Sequence, residues 1–206
     1  MGSEVACSLK FGEKVSKGTA LLETKELIFR GKPRLSIKLS EIKSLSSRDG
    51  KLKIDFPGGT AIFTLGTQAD KWAEKIRNPK SLLEKLGVKP DSTVSVFGVD
   101  DKIFLRDLNA RTRKVSQSVA QKGSNLIFFG ADSAKDLIKL SGLKKFLTSD
   151  GALWIVSLKG KLATIKDIEV MAAGKKVGLV DTKVVGFSET HTALKFVIPV
   201  AGRGKR

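Results

Sequence analysis

Four cations stand within nine positions, Arg106, Arg111, Arg113 and Lys114. Arginine is the side chain best shaped to grip a phosphate through two parallel N–H bonds. As chemistry the cluster reads as an anion-binding group; as scaffold it reads as an exposed loop. A second set, Gly98, Asp100, Asp101, Gly130, Asp132 and Lys159, falls where the apolar runs 93–97, 125–129 and 152–158 end. Ligands of open α/β sheets bind along that edge, so these residues form a candidate strand-end cleft. Paired Asp100 and Asp101 lack the third ligand that a divalent cation ordinarily requires. Asp132 reads better as a helix N-cap.

An adenosyl or dinucleotide cofactor needs glycines immediately after the first strand and an acidic residue ending the second. Here Phe97 runs into Gly98-Val99-Asp100-Asp101-Lys102 with one glycine, and the following segment 111–118 is basic. No cofactor is expected on that ground. His191 is the only imidazole and falls in a hairpin connection beside Glu189, where it reads as a solvated turn residue rather than a general base. Cys7, between Val5 and Leu9, reads as an inert small apolar residue. One cysteine and one histidine cannot supply an internal disulfide or a Cys/His zinc cluster. The expectation is therefore no catalytic and no metal-ligating residues.

The elements that would position these residues follow two rhythms. From Val5 to Leu65 apolar and polar residues alternate in short runs, as in Lys51-Leu52-Lys53-Ile54-Asp55-Phe56, separated by turn residues such as Asp49-Gly50 and Pro57-Gly58-Gly59. A period of two predicts half-buried antiparallel strands. Thr67 then offers a helix cap, and Trp72, Ala73 and Ile76 share one face of a short helix that Asn78-Pro79 stops. After Lys80 apolar strands alternate with helices predicted over 81–86, from Asp132 or Ser133 to Phe146, and over 164–175, which predicts a parallel sheet covered on both faces. Strands over 180–188 and 193–200 finish it as an antiparallel hairpin. The predicted domains are 1–79 and 80–206.

The chain of 206 residues carries a net charge of +17, spread over both halves. Such a field attracts an acidic protein, an anionic lipid surface or nucleic acid irrespective of fold. The tail Arg203-Gly204-Lys205-Arg206 is one of its few dense knots. No apolar run approaches the roughly 20 residues that span a bilayer, and the N-terminus has no secretory signal, so a cytoplasmic location is expected.

Strands followed by one helix carrying Trp72 make residues 5–78 resemble the pleckstrin-homology-like superfold and its GRAM-like relatives, which implies a module that binds lipid headgroups, peptides or other domains. The second half resembles the class I methyltransferase-like Rossmann fold. More closely, Leu83-Glu84-Lys85-Leu86-Gly87-Val88-Lys89-Pro90, Asp150-Gly151-Ala152-Leu153-Trp154-Ile155, Lys159 and Thr192-Ala193-Leu194-Lys195-Phe196 resemble a bacterial domain of unknown function, the one catalogued under thirty fifty-two. Residues 81–199 carry that match. It departs at His191, where the family has Trp, and at 98–101, where it has a Pro-containing loop. The predicted fold is thus an α+β PH-like barrel closed by a helix, then a three-layer α/β Rossmann-like domain ending in a hairpin. The predicted function is a non-enzymatic binding or adaptor protein with basic surfaces. The alternatives are a methyltransferase-like enzyme with a divergent site at the strand C-terminal edge, and non-specific nucleic-acid binding.

Overall fold

The structure, a computed structural model, describes residues 3–202. The chain divides into two compact units, Met1–Lys80 and Ser81–Arg206. In the first, strands β1 (Ser3–Phe11), β2 (Lys14–Leu22), β3 (Glu26–Arg30), β4 (Leu35–Lys38), β5 (Ser44–Arg48), β6 (Lys51–Phe56) and β7 (Gly59–Thr64) precede helix α1 (Gln68–Arg77). All strand pairs are antiparallel, in the order β4-β3-β2-β1-β7-β6-β5. Asp49 and Gly50, both at positive φ, make the two-residue turn that sets β5 against β6.

The alternation of side chains sends Leu9, Phe29, Ile37, Leu52, Ile54 and Phe63 to one face, where they share a core with Trp72 of α1. Residues from both ends of a seven-stranded sheet meet in that core only if the sheet curls, since a flat one would be roughly 29 Å wide at about 4.8 Å per strand. Curling stops short of closure: β4 and β5 end the sheet and do not pair with each other. The closed barrel expected here is therefore replaced by an open curled sheet, whose two edge strands are joined through a 3-10 turn, Leu39–Glu41.

The second unit contains α2 (Leu82–Leu86), β8 (Val94–Phe97), α3 (Lys102–Arg111), β9 (Val115–Gln117), β10 (Ser124–Gly130), α4 (Leu140–Lys144), β11 (Leu147–Leu158), α5 (Asp167–Lys176), β12 (Val180–Gly186) and β13 (His191–Val197). Their sheet is mixed and ordered β12-β13-β11-β10-β8-β9. Strands β9, β8, β10 and β11 are parallel, while β13 is antiparallel to both of its neighbours. One face buries Trp154 and Phe128 under Phe104 and Leu108 of α3; the other buries Ile127 and Leu153 with Leu140 of α4 and Val170 of α5.

The three-layer Rossmann-like expectation is corrected as well. Among the described residues there are five α-helices in all, and α2 and α4 have five residues each, so the helical layers are sparse. The helix expected up to Phe146 breaks into a 3-10 turn, Asp136–Lys139, and short α4, and the next begins only at Asp167. The cluster from Arg106 to Lys114, for which an exposed loop is one reading, falls on α3 and the short connection from it to β9. The final hairpin folds inward, so that the last strand lies inside the sheet and β12 at its edge. Among the described residues no helix is long and apolar enough to cross a membrane.

Candidate functional site

Helix α3 disperses the arginine cluster. Asp101 starts it by accepting a bond from the Phe104 amide at 2.9 Å, beside the carboxyl end of β8. Ten residues then carry the chain about 15 Å back at 1.5 Å per residue. Lys114 arrives at the amino end of β8, where its carbonyl accepts from the Val94 amide at 2.8 Å. Arg111, Arg113 and Lys114 thus stand at the edge opposite Gly98. Arg106 is five positions before Arg111 and so projects roughly 140° away around the helix. Its guanidinium is held by Asp107 through two bonds, 2.9 and 2.8 Å long. The four side chains are all exposed and do not form one surface.

The strand-end residues are better gathered, but they are occupied with one another. Strand order reverses between β8 and β10, the place where an open α/β sheet ordinarily leaves a crevice. There Gly98 and Gly130 lie backbone to backbone: a Cβ built on Gly130 would stand 1.8 Å from the Gly98 carbonyl oxygen. The Lys159 ammonium donates to the Ser188 carbonyl at 2.8 Å, and its amide to Thr190 at 2.9 Å. Asp100 and Asp132 are exposed. Asp132 is not the cap expected of it, since Asp136 fastens that turn by accepting from the Ser133 amide and hydroxyl. Those bonds, the hydroxyl foremost and then Lys139, hold the Asp136 carboxyl below the usual carboxylate range.

His191, expected in the turn, instead opens β13 opposite Leu158 of β11, with Nδ1 2.8 Å from the Thr190 hydroxyl and 3.3 Å from that of Ser188. Burial pushes the Cys7 thiol up, away from reactivity at neutral pH. Among the described residues no group of three His, Cys, Asp or Glu side chains could hold a metal ion. A half-open groove of about 550 Å³ runs beside α3, floored by Phe104 and Phe187 and rimmed by Asp101, Asp107, Arg111 and Glu189.

A different charged surface forms on the first unit, from residues that no sequence window contains together. The pairing registers align Arg48, Lys51, Thr64, Ser8 and Lys17 in one row across β5, β6, β7, β1 and β2. The next row reads Ser46, Lys53, Ile62, Lys10 and Val15. These residues alternate with the buried Leu9, Leu52 and Phe63, so both rows lie on the outer face. Five strands place the five cations within roughly 19 by 7 Å, from the usual spacing between strands and between alternate residues. Asp55 is the nearest acid on these strands, 4.0 Å from the Lys53 ammonium. It is itself engaged by the hydroxyls of Ser44 and Thr60, whose bonds hold its carboxyl below the ordinary value. Arg48 reaches Asp49 at 3.6 Å in a fully solvated pair, and among the described residues no salt bridge engages Lys10, Lys17 or Lys51.

No family model matches the chain, and no curated protein does. Solved structures similar to it include a SAM-dependent methyltransferase from Aquifex aeolicus, 16% identical with a TM-score of 0.47 over 61% of this chain and 93% of that one. A TehB-like SAM-dependent methyltransferase from Corynebacterium glutamicum is 11% identical, with a TM-score of 0.39 over 64% and 96%. The C-terminal domain of an unknown protein from Leishmania infantum is 19% identical, with a TM-score of 0.29 over 34% and 72%. At these identities and TM-scores the likeness extends to neither ligand nor activity.

Proposed function

We infer that the protein binds duplex nucleic acid without sequence preference, through the outer face of its N-terminal sheet. The carrying observation is the convergence of Arg48, Lys51, Lys53, Lys10 and Lys17 on five adjacent strands. Cations at this spacing neutralise backbone phosphates and release their counterions, which supplies affinity without reading bases. Among the described residues the large exposed apolar side chains are all aliphatic, so they offer no platform on which single-stranded bases would stack. That favours the duplex over single strands. The hydroxyls of Ser8, Ser46 and Thr64 within the rows are further donors to phosphate oxygens.

The experiment is titration of a short labelled duplex of arbitrary sequence, beside a single strand and phosphatidylserine vesicles. Stronger binding to duplex, independent of its sequence and weakened by salt, is expected. Stronger binding to vesicles than to duplex would overturn the reading.

A second reading rests on a separate observation in the C-terminal unit. The reversal of strand order at Gly98 and Gly130, with the groove along α3 that reaches this sheet edge at Asp101 and Ser188, is the setting in which a methyltransferase-like enzyme would carry a divergent site. Against it, the turn after β8 carries a single glycine, Gly98, whose backbone lies close against Gly130. Saturable calorimetric binding of S-adenosylmethionine would establish it.

A further inference from the structure

The groove beside α3 follows that helix along its length, with Ile103 and Ala110 on one wall and Ser81 and Leu82, at the start of α2, on the other. Its two ends differ in charge. Strands β8 and β12 run in the same direction, so Asp101 after β8 and Glu189 after β12 both line the groove at the carboxyl edge of the sheet. Arg111 lines the opposite end, about 15 Å along the helix from Asp101 at 1.5 Å per residue. Between them Asp107 is engaged by the Arg106 guanidinium at 2.8 Å, so the middle of the groove carries no net charge. The groove is also built in advance of any ligand. Phe104 and Phe187 hold each other in its floor with ring centroids 4.8 Å apart. Helix α2 is fixed by its capping box and by the bond from the Trp154 indole to the Leu86 carbonyl. Above this floor Ile103 stays 66% exposed.

We propose that this groove binds a short apolar peptide with free termini, extended along α3 with its ammonium at Asp101 and Glu189 and its carboxylate at Arg111. Length, charge and lining each select that occupant. An extended chain covers 3.3–3.6 Å per residue, so the distance between the charged ends corresponds to about four or five residues. A zwitterion of that length meets an opposite charge at both ends and can lie in one direction only, whereas a ligand of a single sign is repelled at one of them. The planar fork of Arg111 suits a carboxylate in particular. The aliphatic and aromatic lining between the ends accepts apolar side chains, and a volume of about 550 Å³ is that of a ligand cleft. Because the groove is half open, the peptide's outward amides keep their water and need no partner from the protein. The site belongs to the second unit and is independent of the basic face on the first.

Calorimetric titration of the full chain with alanyl-leucyl-leucyl-alanine tests this, beside the same peptide acetylated at its amino end, amidated at its carboxyl end, or blocked at both. One free peptide should bind per chain, and either single block should weaken it about tenfold, as loss of a hydrogen bond to a charged group does. Arg111→Ala should erase the discrimination against the amidated peptide and keep that against the acetylated one. Asp101→Asn with Glu189→Gln should do the reverse, and asparagine still caps a helix, so α3 keeps its start. Absence of saturable binding by the free peptide would overturn the proposal. So would equal affinity for the free and doubly blocked peptides, discrimination that survives both variants, or leucine alone binding as tightly as the tetrapeptide.

Discussion

The carbonyl oxygen of Gly98 occupies the space that a side chain on Gly130 would need, 1.8 Å from where its Cβ would stand. This contact sits at the strand-order reversal of the second sheet, so the two backbones approach each other closely there. Gly98 has a φ of 61°, a conformation that favours glycine, and the interlock restricts both positions.

Replacing Gly130 by alanine should therefore cost stability through overpacking, by about 1–3 kcal/mol. Urea unfolding monitored at Trp154, which lies in the same unit, would show the lowered midpoint. An unchanged midpoint would mean that the backbones separate easily and that the crevice can open.

The two tryptophans should respond differently to phenylalanine. Trp154 Nε1 donates to the buried Leu86 carbonyl at 3.0 Å, whereas Trp72 Nε1 is buried without a partner. Trp154→Phe breaks a hydrogen bond and strands an acceptor, an extra cost of about 1–3 kcal/mol beyond lost volume. Trp72→Phe removes an unpaired donor instead. Denaturation of the two variants should rank Trp154→Phe as the more damaging.

Hydrogen bonds from Ser44 and Thr60 depress the Asp55 carboxyl in the folded state. Their stabilisation is thus present above the unfolded carboxyl value, about 3.9, and is lost as pH falls through the lower folded value. The stability gap between the native chain and Asp55→Asn should be constant near neutrality and close below about pH 4. A gap that widens in acid would reverse the assignment.

Much of the fold was legible where local pattern is decisive. The period-two runs with Asp-Gly and Pro-Gly-Gly turns marked the antiparallel strands of the first unit, and the wholly apolar runs ending at Phe97 and Phe129 marked the centre of the second sheet. Features set by distant pairing were hidden. Nothing local announced that β4 and β5 would stay apart, or that β13 would insert between β11 and β12. Helix α3 escapes the local pattern because Asp101, next to Asp100, reads as a ligand, whereas it is the helix cap.

The same limit governed the site. Arg106, Arg111, Arg113 and Lys114 attract notice because they are close in sequence, and a helix then points them apart. Lys10, Lys17, Arg48, Lys51 and Lys53 are scattered over more than forty positions, and strand registers bring them together. The usable signal is parity for three of them: Lys10, Lys51 and Lys53 take the outward turn of an alternating strand, beside an inward Leu9, Leu52 or Ile54.

The most direct test of the basic face is the salt dependence of duplex binding. Five phosphate contacts predict a slope of log K against log salt near −4.5, and joint Lys10→Ala, Lys17→Ala and Lys51→Ala should flatten it by about 3. Joint alanine replacement of Arg106, Arg111, Arg113 and Lys114 should leave the slope unchanged. A slope that the second set flattens and the first leaves intact would contradict the assignment of binding to the N-terminal sheet.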